Sequence, residues 1–346
     1  MAIKDNKSEE METDKDQREN FTVVNNSDED LVKKETIPHF FPTYRVKRNL
    51  YPIPIILVVL VAGVLSYLTY IEAGVQIDGG YISESEYGPI GGIINGIIYT
   101  ALAALSAFII IFVIKRKGVS TLMYIFGIGF AIVAFFQTWF FGEVIVYLIF
   151  FDLPIQYARF FYLVDAELIF FTAVGTFVMI YKYLTSKSIR IKNFIVLYIG
   201  LLIGASMGVL MPLWTTLAIL IGISCWDLFA VLYKRGPIKQ LVEMVSSPED
   251  EDASDMTEKI KSGEYKYDTS KLEIGIGDLA FYSMLTSSAL VQTSNVIIMI
   301  LSAIAIIAGT GITIMGLKRN KILPGLPISI FLGIGTMLLS WYLFTL

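Results

Sequence analysis

Residues 275–283 read GIGDLAFYS. Asp278 stands at the head of this apolar run. The chain on either side is more apolar still: 196–210 reads VLYIGLLIGASMGVL, and 297–317 carries no charged residue. An ionisable group in such a setting needs a physical reason, and the reason depends on what kind of chain surrounds it.

Of 346 residues, 55% are hydrophobic and 17% are charged. A water-soluble protein of this size needs far more polar surface. Apolar runs of about 18 residues or more recur, the length that crosses roughly 30 Å of hydrocarbon as a helix. The expected fold class is all-α: a polytopic membrane protein with nine transmembrane helices, at about 52–71, 90–114, 119–149, 160–183, 190–210, 212–233, 272–290, 293–317 and 324–345. Residues 1–50 are polar, charge-mixed and without periodicity, which predicts a disordered tail. No apolar stretch follows a basic start there, so no cleavable signal peptide is expected. The domains then run as tail 1–50, helices one to six over 51–233, a polar acidic loop over 234–271, and helices seven to nine over 272–346.

Basic residues sort to one side of this scheme. Arg45, Lys47 and Arg48 precede span one, and Lys115, Arg116 and Lys117 follow span two. Lys182, Lys187, Arg190 and Lys192 follow span four; Lys234, Arg235 and Lys239 follow span six; Lys318, Arg319 and Lys321 follow span eight. The opposite loops carry Glu72, Asp78, Glu84 and Glu86. By the positive-inside rule this puts the N-terminus in the cytosol and the C-terminus outside. It also supports the count, since one missed span would scramble the alternation.

Several chemistries drop out. A net charge of −4 gives no reason to expect nucleic acid. One cysteine, Cys225, forms no intramolecular disulfide, and one histidine, His39, lies in the tail. A His/Cys metal site has too few ligands, and a Ser-His-Asp triad inside the membrane has no histidine. No metal or cofactor is expected. The G-x-S-x-G match at 204–208 (GASMG) fails as a serine protease for the same reason, so Gly204, Ser206 and Gly208 read as helix-packing residues.

Asp227 and Asp278 lie inside spans. A charge at the centre of a spanning helix costs about 2.5–3.5 kcal/mol on insertion scales, and such residues usually serve function. Asp227 lies seven residues before Lys234 and Asp278 seven after Lys271. At a helical rise of about 1.5 Å per residue, each is roughly 10 Å in from the cytosolic edge. Spans six and seven are antiparallel, so the two carboxylates meet if the helices pack together. At about 4 Å and an effective dielectric of about 20, two such charges repel by about 4 kcal/mol, so the pair shares one proton. One aspartate then acts as base on a water while the other, protonated, polarises a carbonyl. The pair and its depth also suit an ion-pathway residue, or a partner for a polar group on a neighbouring helix. Glu143, Asp165 and Glu167 read as boundary or packing acids.

Gly275 and Gly277 flank the second aspartate and let the helix start irregularly. Pro324 and Pro327, in LPGLPISI at 323–330, remove backbone donors at the start of span nine. An edge left open there can pair with an extended peptide.

Trp226-Asp227, GIGD at 275–278 and PGLP at 324–327 occur in that order on spans six, seven and nine. Together they resemble the motifs of the presenilin and signal peptide peptidase family of intramembrane aspartyl proteases. WDLFAVLYKRGPIKQLVE at 226–243 and GIGDLAFYSML at 275–285 are more similar to presenilins. The resemblance implies a presenilin-like fold with Asp227 and Asp278 as the catalytic pair. It implies that Pro324, Gly325, Leu326 and Pro327 contact substrate. Substrates would be single-span helices in the bilayer that unwind locally before cleavage. Trp226 stands where the family usually has Tyr, so a hydroxyl is missing beside the first aspartate. Gly325 replaces the alanine of Pro-Ala-Leu and loosens the turn. The chain ends at Leu346 without the tail of eukaryotic presenilins, and its 234–271 loop is shorter. Both departures point to a prokaryotic-type homologue that works without the eukaryotic complex subunits; oligomeric state, a homo-oligomer included, stays open. The rival class is a transporter or channel using the same carboxylates as a proton or cation site, although no repeat relates the two halves.

Overall fold

The structure is a computed structural model that describes residues 42–118, 120–186, 188–233, 271–317 and 325–345. The tail through 41, residues 234–270 of the acidic loop, and Pro324 lie outside the described residues. Nine α-helices follow one another within them. They are α1 (Pro52–Ser66, prolonged by a wider π-type turn over Tyr67–Glu72), α2 (Glu84–Lys117), α3 (Ser120–Phe150), α4 (Ala158–Thr185), α5 (Ile189–Leu210), α6 (Leu213–Leu232), α7 (Ile276–Thr293), α8 (Val296–Leu317) and α9 (Leu326–Thr345). Their order and approximate limits are those of the nine expected spans.

Local chemistry sets the helix limits. Pro52 occupies the first turn of α1, where its missing N–H costs nothing. The backbone of α2 breaks at Gly88, directly before Pro89, so its regular part starts there. The same helix stops at Gly118, whose φ of 83° suits glycine alone. The link between α7 and α8 is two residues long, and Asn295 Oδ1 accepts the Ile297 N–H at 2.9 Å to open α8.

Two strands correct the expected scheme. Thr43–Lys47 (β1) pairs antiparallel with Lys271–Gly275 (β2). Residues 43–47 are therefore not part of an unstructured tail, and the seventh helix begins at Ile276 rather than 272. The cause is a period of two in both segments. Tyr44 and Val46 lie opposite Ile274 and Leu272, and all four pack on the core. Arg45 and Glu273 point the other way, with Nε and Oε1 2.6 Å apart, and Thr43 Oγ1 donates to Glu273 at 3.0 Å. A strand puts alternate residues on one face; a helix would turn Leu272 and Ile274 about 200° apart.

Among the described residues, eight helices are long and apolar enough to cross a bilayer by composition. The exception is α7, and it is the most enclosed: every residue from Tyr282 to Val291 is buried. It packs against α1, α5, α6, α8 and α9. Two of its hydroxyls bond back along the helix, Ser283 to the Leu279 carbonyl at 2.9 Å and Thr286 to that of Tyr282 at 3.0 Å. A helix shielded from lipid by other helices has no need of an apolar surface. By contrast the most apolar stretch of α4 is only 6% buried, so α4 faces lipid, whereas that of α5 is 67% buried.

Small residues bring α5 and α7 together, as expected at 204–208. Gly204 faces Ser283 and the Ala280 carbonyl, and Gly208 faces Ser287. Ser206 donates to its own helix at the Ile203 carbonyl, 3.0 Å away. Such close approach is how helices gain packing energy where no water drives them together. A methyl group at Gly204 would overlap Ser283, whereas one added to Gly335 on α9 would meet nothing within 4 Å. Gly204→Ala is expected to destabilise the fold by about 1–3 kcal/mol, and Gly335→Ala to leave stability unchanged or slightly raised. Melting temperatures of the purified variants in one detergent check both.

Candidate active site

Asp278 stands at the head of an apolar run because that run is a helix and Asp278 lies in its first turn. Gly275 is the N-cap, in extended conformation, and Asp278 is the third helical residue. Its carboxylate takes a hydrogen bond from the Gly275 N–H, the reach-back contact of a capping box. Helix starts leave N–H groups unpaired and carry partial positive charge, so an acid is favoured there.

Asp227 comes from the C-terminal half of α6, whose own start is held by α2. The Glu84 carboxylate accepts the N–H groups of Trp214 (3.2 Å) and Thr215. Gly92 and Gly96 let α2 lie against Trp214 and Ala218. Trp226 packs edge-on against Phe108 of α2, with ring centroids 6.0 Å apart, so it anchors α6 rather than supplying a polar group to the pair.

The two aspartates meet. Helices α6 and α7 are in contact, and the carboxylates lie beside two adjacent residues, Leu326 for Asp227 and Gly325 for Asp278. Both residues are half-buried. The start of α9 closes the site. The Leu326 N–H donates to Asp227 Oδ2 at 3.4 Å, and a methyl group on Gly325 would lie 3.8 Å from Asp278 Oδ2. Pro327, buried in the first turn of α9, has no N–H to offer. Gly275, Gly325 and Leu326 thus converge on the pair. Gly277 is exposed, its nearest side chain being Phe281, and Pro324 lies outside the described residues. Residues 271–275 are extended and advance about 3.3 Å each, so Asp278 lies farther from Lys271 than a helical rise gives; packing of α6 on α7, not equal spacing from the flanking lysines, brings the carboxylates together.

Three residues were not anticipated. Tyr282, one turn below Asp278, donates to Ser329 Oγ of α9 at 3.2 Å. Thr310 of α8 lies 3.0 Å from the same Ser329 Oγ, which donates to the Gly325 carbonyl at 3.4 Å. This buried hydroxyl cluster ties α7, α8 and α9 to the turn beside the aspartates. In the sequence each is a lone hydroxyl in a helix, the commonest kind of polar residue in a span, and nothing marks it.

The ribbon contributes an edge. Asn193 of α5 takes both backbone groups of Arg45, so these point away from β2. Arg45 and Glu273 are therefore a non-hydrogen-bonded pair, and Glu273 turns its own N–H and C=O to the side that β1 does not cover.

Glu143 and Asp165 lie near each other on α3 and α4, apart from this site. Among the described residues no three side chains of His, Cys, Asp or Glu come together as a metal site.

The presenilin family model matches residues 52–253 and 245–345. Presenilin-B of Dictyostelium discoideum is 37% identical over 192 residues, which is 53% of this chain and 36% of that protein. A presenilin-like protein of Arabidopsis thaliana is 26% identical over 316 residues, 71% of this chain and 76% of the relative. The match therefore spans about a third of the first relative and three quarters of the second. With its apolar helices the chain is a multi-pass integral membrane protein, and it belongs to the presenilin family.

Proposed function

We propose that the chain is an intramembrane aspartyl endopeptidase that hydrolyses peptide bonds within the transmembrane segments of other membrane proteins, with Asp227 and Asp278 as its catalytic pair. The observation that carries this reading is the convergence of both carboxylates on the irregular turn at Gly325 and Leu326. Family membership supports the same class.

The pair holds one proton. The ionised aspartate takes a proton from a water, whose oxygen attacks the scissile carbonyl carbon; the protonated aspartate gives its proton to the carbonyl oxygen. In the tetrahedral diol that results, the carboxyl now protonated passes its proton to the amide nitrogen. The C–N bond breaks as a diol hydroxyl returns its proton to the other carboxylate. The products are an acid and an amine, and the pair is back to one proton. The half-burial of both aspartates suits this role, because water has to reach them.

A substrate helix hides its carbonyls in its own hydrogen bonds, so it has to unwind before water can attack. The outward N–H and C=O of Glu273 and the open turn at 325–326 offer an extended segment partners for the groups it exposes. The basic flanks orient the protein with its N-terminus in the cytosol and its C-terminus outside.

Asp227→Asn and Asp278→Asn are each expected to lower cleavage of a single-span substrate by about a thousandfold or more, with elution profile and melting temperature close to wild type. A fully active Asp278→Asn protein would refute the mechanism. Ion flux that follows a gradient, without fragments from the wild type, would favour the ion pathway instead. Gly325→Ala tests the turn: its φ is not left-handed and the added methyl meets Asp278 at ordinary contact distance. It is expected to stabilise the protein by about 0.4–1 kcal/mol through loss of chain entropy in the unfolded state. A fall in melting temperature would contradict that account.

A further inference from the structure

One side chain ties the segment in front of α1 to α5. Asn193, near the start of α5, accepts the Arg45 N–H through Oδ1 at 2.9 Å and donates through Nδ2 to the Arg45 carbonyl at 2.7 Å. A side-chain amide offers an acceptor and donors spaced like those of a peptide unit. Asn193 therefore closes the outer edge of β1 much as a third strand would. It stands on a fixed base, since Ile195, Val196 and Ile199 behind it are buried.

From β1 the constraint passes directly to the candidate active site. Tyr44–Ile274 and Val46–Leu272 are the hydrogen-bonded pairs of the ladder, by the alternation that Asn193 sets. Beyond the ladder the Pro42 carbonyl accepts the N–H of Ile276, the first residue of α7, at 3.2 Å. That N–H is one of those a helix start cannot satisfy internally. A chain of hydrogen bonds thus runs from α5 through β1 to the first residue of α7, two residues before Asp278. Without Asn193 the outer edge of β1 loses its partner, and the two-stranded ribbon, a marginal unit by itself, depends on the packing of Tyr44, Val46, Leu272 and Ile274 on the core alone.

We infer that Asn193 is a positioning residue, which locks β1 to α5 and so fixes β2 and the first turn of α7, including the backbone of Asp278, before a substrate arrives. Its consequence for catalysis rests on the protease reading; its consequence for the backbone does not.

The test is amide hydrogen exchange on the full chain in detergent, wild type beside Asn193→Ala. Peptides covering 43–47 and 271–278 are expected to exchange roughly tenfold faster or more in the variant, with α5 beyond residue 195 unchanged. Unchanged exchange at 271–278 overturns the inference, whatever the protein cleaves. A second variant restores the pairing by other means. Non-hydrogen-bonded partners lie about 4.5 Å apart at Cα, within the range that a disulfide bridges. Arg45→Cys with Glu273→Cys, in an Asn193→Ala and Cys225→Ser background, is therefore to be compared oxidised and reduced. Oxidation is expected to return exchange at 271–278 to the wild-type rate, and dithiothreitol to undo this. Cleavage follows the same pattern: kcat falls roughly tenfold in Asn193→Ala with KM little changed, and recovers on oxidation. An oxidised protein that still exchanges fast, or restored exchange without restored kcat in an active enzyme, overturns the inference by leaving Asn193 a merely structural role. A wild type inert toward every substrate, with exchange behaving as stated, refutes the protease reading and upholds the positioning.

Discussion

A backbone polar group at membrane depth has to find a partner in the protein, because lipid offers none. Helices meet that demand internally, and most of this chain is helical. The demand becomes acute where the chain is extended or a helix begins, at 271–276 and 325–326. There the partners are few and specific: Asn193 for Arg45, the Pro42 carbonyl for Ile276, the Asp278 carboxylate for Gly275, and Asp227 for Leu326. The two aspartates are thus part of the solution to the backbone problem as well as the proposed chemistry. A carboxylate that caps a helix start is held in place by the same hydrogen bond that satisfies the backbone.

The second constraint is enclosure. Helix α7 carries more hydroxyls than an isolated span tolerates well, yet it is the helix that other helices surround. Glycines on α5 let it approach closely, Ser283 and Thr286 bond within the helix, and Tyr282 bonds to Ser329. Both effects reduce its freedom to rotate or slide. A helix so constrained places Asp278 against α6 and α9 reproducibly, which a pair of carboxylates sharing one proton needs.

The lengths and order of the helices were legible in the sequence because hydrophobic runs record the thickness of the bilayer. The motif residues Asp227, Asp278, Gly325 and Leu326 were legible because charges and broken helix starts stand out against apolar sequence. The ribbon was not. TYRVK at 43–47 has a clear alternation, but five residues beside a polar tail carry too little signal, and KLEIG at 271–275 joins an apolar run without a break. Tyr282, Thr310, Ser329 and Asn193 were silent for another reason: a lone hydroxyl or amide reveals its role only through its partner, and these partners lie 19 to 148 residues away.

By itself the sequence determined the order of the helical segments, most of them apolar enough to span a membrane, and where Asp227 and Asp278 fall among them, since both follow from the local cost of placing residues in hydrocarbon. Only the tertiary structure decided that the acids meet at the opening turn of α9, that a strand precedes the second of them, and that Asn193 holds that strand. These depend on contacts between segments far apart in the chain, which periodicity and composition do not record.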